Sequence, residues 1–188
     1  MKKLFPKFIQ RRPWLTLIAL AALFLTYSLL TGAIHPFPSE HPSHEAIYAY
    51  IERTCEPSGL DPQFVYSIAM AESSLNPRAR TRHARGIMQL SPEAWRNVSK
   101  EPYRKAWDWQ TNIQVGVKYL NFCRHQLERK HQFSYAKLAA AYHYGLGYLE
   151  KHDYNLKHIP KQNNLIYKKL FSGSLDPVPA PEEAAEDA

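Results

Sequence analysis

The chain has 188 residues, 45% of them hydrophobic, which is enough for one domain with a real core plus short appendages. Its formal net charge is +7, yet no zinc-finger spacing or nucleic-acid motif accompanies the basic residues, so an anionic polymer or lipid headgroups fit better than nucleic acid. Two cysteines, Cys55 and Cys123, exclude a CxxC metal or redox site.

Lys2, Lys3, Lys7, Arg11 and Arg12 precede a mainly apolar run from Trp14 to Ile34 that contains no charged residue. As a helix this run can cross a hydrocarbon core that needs about 20 residues, and basic flanks stay on the cytoplasmic side. These features predict a basic cytoplasmic segment over 1–13 and a single-pass inner-membrane anchor over 14–34, with everything beyond residue 34 in the periplasm. The alternative is a signal cleaved after Thr31 and Ala33, giving a free periplasmic form, although the apolar run exceeds the usual signal core. Asp176, Glu182, Glu183, Glu186 and Asp187 lie after residue 171, so the residues between the two ends keep the whole positive excess.

Pro36, Pro38 and Pro42 mark 35–43 as a spacer. Ile47, Ile51 and Cys55 then recur every four residues before Pro57, Ser58 and Gly59, which predicts a helix from near Glu45. Asp61 followed by Pro62 starts the next helix. Within it Val65, Ile68 and Glu72 share a face, so a buried face would require the carboxylate to be paired, protonated or functional. A half-exposed glutamate at a helix end is the plain alternative. Asn76 and Pro77 end this helix, and the Arg-rich stretch 78–85 reads as an exposed loop.

Gly86 permits close backbone approach, Ile87 and Leu90 can anchor the segment, and Gln89 is left as a polar donor and acceptor. Ser91, Pro92 and Glu93 start another helix with Trp95 near its surface, and 97–109 is irregular. Asn112 is the expected cap of the longest helix, whose stripe is Ile113, Val117, Leu120, Cys123 and Leu127, with Gly116 admitting a close neighbouring helix. Tyr135–Tyr144 forms an alanine-rich helix ended by Gly145 or Gly147, and 161–171 a last one. Residues 172–188 read as a flexible acidic tail. No alternating run of strands stands out, which favours an all-α domain. Cys55 and Cys123 are either a disulfide of an exported domain or two buried thiols. Trp95, Tyr103, Trp107 and Trp109 are candidates to cover the apolar face of a sugar, one or two of them in contact with it, or to pack the core.

Four ordered segments resemble the soluble lytic transglycosylase domains of the goose-type lysozyme-like group. They are Gly59–Pro77 with Glu72 and Ser73, Gly86–Pro92, Asn112–Leu120, and Ala140–Gly147. The resemblance covers roughly 44–171 and implies a mainly helical, two-lobed lysozyme-like domain with a substrate cleft, preceded here by the transmembrane helix. It implies an enzyme without cofactor or metal, a peptidoglycan lytic transglycosylase. Such an enzyme cleaves the MurNAc–GlcNAc β-1,4 bond of glycan strands and leaves 1,6-anhydromuramoyl ends. Its small size and anchor fit local wall opening, with remodelling during growth and passage for a secretion or conjugation apparatus both left open.

By the same resemblance Glu72 is the catalytic residue, acid first and base second, with the sugar's N-acetyl carbonyl supporting the electron-poor carbon. Ser73, Met88, Gln89, Tyr142, His143 and Tyr167 fall at substrate-binding positions. His143 stands where the family has asparagine, Tyr144 where it has alanine, Leu146 for a proline and His83 for a glycine. In the closing segment 160–170 the register leaves either Ile166 or Tyr167 at the wall tyrosine. Asp108 is the acidic residue to weigh as a second carboxylate, although its position does not identify it as facing Glu72. The alternatives are a glycan-binding assembly protein with weak or no cleavage, and a hydrolase that leaves reducing ends.

Overall fold

The computed structural model describes residues 41–181 together with Leu23 and Thr26. The basic segment, the rest of the expected anchor, most of the spacer and the end of the acidic tail lie outside the described residues. Among the described residues no helix is long and apolar enough to cross a membrane.

Helix α1 (His44–Cys55) starts where Ser43 Oγ accepts a hydrogen bond from the Ala46 amide, and it buries Ile47, Ile51 and Cys55 as their four-residue spacing predicts. Helix α2 (Pro62–Ser73) starts at Asp61, whose carboxylate accepts from the Phe64 amide at 3.0 Å. Such a cap is worth about 1 kcal/mol. The helix stops earlier than Asn76 and Pro77 would make it: Ser74 and Leu75 take left-handed conformations at φ 53° and 60°, which turns the chain directly after Glu72 and Ser73.

Helix α3 (Pro92–Val98) is capped by Ser91. Helix α4 (Trp109–Arg129) begins three residues before the expected cap, because Asp108 accepts from the Thr111 amide at 2.8 Å. Asn112 is therefore inside the first turn and fully buried. Helix α5 (Tyr135–Tyr144) ends at Gly145, with φ 89°, and α6 (Leu146–Lys151) follows at once. Helix α7 (Leu165–Phe171) is shorter than 161–171 because Asn164 caps it, accepting from the Ile166 and Tyr167 amides. No strand is named among the described residues; the loop between α2 and α3 is held by two isolated bridges, Arg80 to Arg85 and Arg85 to Leu90.

Helix α4 lies at the centre, against α1, α3 and α5, and α7 packs on both α5 and α2. This last contact matters most for the site, since it brings the C-terminal segment to the end of α2. Ile47, Ile51, Phe64, Ile68, Ile113, Leu120 and Leu127 are fully buried in one core. Each contributes about 1.5–3 kcal/mol by leaving water. Cys55 and Cys123 are free thiols in that core, which settles their pairing in favour of packing, and burial pushes both up to about 12. Residues 172–181, assigned to a flexible tail, lie against the domain instead. Leu175 and Val178 touch the core, and Gln63 Nε2 donates to Val178 O at 3.2 Å.

Candidate active site

The helical phase of α2 does what its sequence implies. Val65 and Ile68 are fully buried, and Glu72, one turn further along the same face, keeps only 16% of its side chain exposed. A carboxylate so placed needs partners. Tyr167, from α7, donates its hydroxyl to Glu72 Oε1, and His143 Nδ1, from α5, lies 3.6 Å from the same oxygen. Asn164 Nδ2 donates to Ala71 O at 3.1 Å, so the N-terminus of α7 is tied to the backbone beside Glu72. Burial, with the Glu72 charge second, raises the Tyr167 hydroxyl well above its ordinary range, so it remains a donor.

The strip Gly86–Leu90 forms the facing wall, and its position rests on Asn112. Asn112 Oδ1 accepts from the Met88 amide at 2.8 Å, while its Nδ2 donates to Ala106 O at 3.0 Å and to Arg85 O at 3.1 Å. Gly86 has φ 80°, and a Cβ there would lie 2.4 Å from both Ala106 O and Asn112 Nδ2. Glycine is required twice over. Gly116 has a related use: a Cβ would lie 2.8 Å from Met88 Cγ, so this glycine receives the Met88 side chain and not a neighbouring helix.

Tyr142, in α5, donates to Met88 O at 2.7 Å, joining that helix to the strip. Burial and then the Glu72 charge raise its hydroxyl well above the ordinary range. His143 is packed between rings, with centroids 4.3 Å from Tyr167 and 4.7 Å from Tyr144. Tyr144 donates to Pro160 O at 2.9 Å, which fixes the closing segment to α5.

A groove of about 680 Å³ opens over these residues. Glu72, Gln89, Tyr142 and His143 line it. Tyr167 reaches Glu72 from the side of α7 without lining the groove. Ser73 and Met88 do not line it. Ser73 Oγ donates to Ile87 O at 2.7 Å and so braces the strip from behind, while Met88 is fully buried and anchors the strip against Gly116. Gln89 Nε2 donates to Ala79 O and Gly86 O, which leaves the amide holding its own loop.

The aromatic wall differs from the expectation. Trp95 is fully buried and donates from Nε1 to Glu101 O, Tyr103 donates to Leu90 O, and neither Trp107 nor Trp109 lines the groove. Its rings are instead Tyr119 and Phe122 of α4, with Tyr142, Tyr144 and Tyr148. Tyr119 and Phe122 sit three apart beside the apolar stripe of α4, a spacing that places both on one helical face. Asp108 is an exposed helix cap and lies outside the groove; the second carboxylate there is Glu93, in the first turn of α3. Among the described residues no three His, Cys, Asp or Glu side chains converge as metal ligands.

The family described as Transglycosylase SLT domain matches residues 49–165. No curated protein matches the chain. Among solved structures, an inactive mutant of lytic transglycosylase Slt from Pseudomonas aeruginosa is similar at 22% identity and a TM-score of 0.49, over 70% of this chain. The chain spans only 20% of that protein's length. The family match runs through Glu72, the Gly86–Leu90 strip, Asn112 and Tyr142, and stops two residues short of Tyr167. The chain belongs to the Transglycosylase SLT domain family.

Proposed function

We propose that the protein is a peptidoglycan lytic transglycosylase in which Glu72 is the single acid and base. The observation that carries this is the placement of one scarcely exposed carboxylate between Tyr167 and His143, at the floor of an aromatic groove, in a chain of this family. In the protonated state Glu72 donates to the glycosidic oxygen between MurNAc and GlcNAc, and the C1–O bond breaks. The acetamido carbonyl oxygen closes on C1 and holds the positive charge. Glu72, now a carboxylate, takes the proton of the sugar's 6-hydroxyl, and O6 displaces the acetamido oxygen at C1. The anhydro ring forms, no water is consumed, and Glu72 regains its proton. Substrate assistance removes the need for a protein nucleophile.

Tyr167 orients the carboxylate by donating its hydroxyl to Oε1. Tyr142 and Gln89 hold the facing strip, while Tyr119, Phe122 and Tyr144 offer ring faces to the sugars. The domain is taken to extend over 44–171, tethered by the 14–34 segment at the inner membrane with its groove in the periplasm. Membrane fractionation of the full chain checks that tether: an integral membrane protein is expected, and a wholly soluble one contradicts it.

A hydrolase is the second reading, favoured by Glu93 in the same groove, since two carboxylates with a water between them would invert at C1. Digestion of purified peptidoglycan in heavy-oxygen water separates the two by mass. Anhydro ends carrying no heavy oxygen are expected. Reducing ends carrying it would assign hydrolysis, and tight binding without any cleavage would assign an assembly role.

A further inference from the structure

A cluster of positive charge beside the groove is not used by the mechanism. A second cleft, of about 470 Å³, opens between the 78–85 loop and α3. Arg80, Arg82, Arg85 and Arg96 line it, with His83. The ion pairs of the described residues involve Lys105, Arg124, His125, Lys130 and His143, so none of these four arginines has a carboxylate partner. Arg85 is half-buried, with its guanidinium 4.8 Å from the Tyr103 ring centroid and 5.4 Å from that of Trp107, which fixes its direction. Arg80, Arg82 and Arg96 are exposed. Four guanidinium charges against the single carboxylate of Glu93, which also lines the cleft, leave the concavity net positive, and an anion relieves the repulsion among them.

The cleft is continuous with the glycan groove. Thr81, His83, Ala84, Ser91 and Glu93 line both. A polymer lying in the groove can therefore present a substituent to the cleft. On the reading given above that polymer is peptidoglycan, and its anionic substituents are the carboxylates of the peptide stems, carried on the lactyl ether of the muramic sugar whose C1 reacts. Guanidinium groups match carboxylates through two parallel hydrogen bonds, a fit that lysine does not provide. We infer that the arginine cleft is a subsite for stem-peptide carboxylates and that the protein selects stem-bearing over bare glycan strands.

The inference rests on the peptidoglycan reading, so the test separates the two. Initial rates at low substrate and affinities by anisotropy of end-labelled strands are measured on soluble glycan strands freed by an endopeptidase, which keep their stems, and on the same strands stripped of stems by an amidase, for the wild type and for an Arg80→Gln, Arg82→Gln, Arg96→Gln triple variant. These side chains are exposed, and a melting curve confirms that the variant folds. Stem-bearing strands are expected to be preferred by about fivefold or more, the scale of several exposed charge contacts acting together, and the variant to lose that preference. Stem-dependent, arginine-dependent binding without cleavage would support the subsite and sink the enzymatic reading. Equal rates and binding on both substrates by the wild type, or a preference unchanged in the variant, would overturn the subsite and leave the cleavage reading intact. Arginine-dependent binding to phosphatidylglycerol vesicles with no stem preference would also overturn it, assigning the cleft to a lipid surface.

Discussion

Glu72 has two neighbours at one carboxylate oxygen, the Tyr167 hydroxyl and His143 Nδ1. Tyr167 is a donor that remains neutral, because burial and the Glu72 charge oppose its ionisation. His143 holds its ring against Tyr167 and Tyr144 beside that oxygen. His143→Asn should lower kcat/KM by about threefold or more, because this packing beside the carboxylate is lost; steady-state kinetics of both proteins check it, and an unchanged value would remove His143 from the site. Tyr167→Phe should lower kcat by about tenfold or more, with a smaller change in KM, since a hydrogen bond to a charged group is lost; steady-state kinetics separate the two parameters.

At the scale of elements, the facing wall depends on one buried amide. Asn112 satisfies the Met88 amide and the carbonyls of Arg85 and Ala106, three backbone groups that no other side chain reaches. Asn112→Ala should cost about 2–4 kcal/mol, because the Met88 amide and the Ala106 carbonyl lose this partner while Arg85 O keeps only the Leu90 amide. A thermal melt should show a fall of about 5–15 °C. Most helices could be read from their sequence, since apolar spacing and caps at Asp61, Ser91 and Gly145 are local signals. Asn112 could not. Asp108 and Asn112 are both good caps, and only the strip 24 residues earlier decides that Asp108 caps the helix while Asn112 turns inward. The same limit applied to the aromatics: Trp95 and Tyr119 are equally plausible sugar contacts until packing buries one and opens the other.

Across the whole molecule, the site joins residues nearly a hundred positions apart: Glu72 and Tyr167 meet because α7 packs on α2. The motif segments made Glu72, Gln89 and Tyr142 legible in the sequence. Tyr167 was ambiguous there because its register depends on where Asn164 caps α7. The core is closed around both cysteines, so neither thiol should react with a water-soluble disulfide reagent in the native state, and two should react in denaturant. Rapid labelling of the native protein would show a looser core than described. The central claim is that Glu72 alone carries the proton in both steps. Its most direct test is the rate of anhydromuramoyl end formation by Glu72→Gln, read by mass on purified peptidoglycan. A loss of about a thousandfold or more is expected while the variant still sediments with the wall; product formed at near wild-type rate would contradict it.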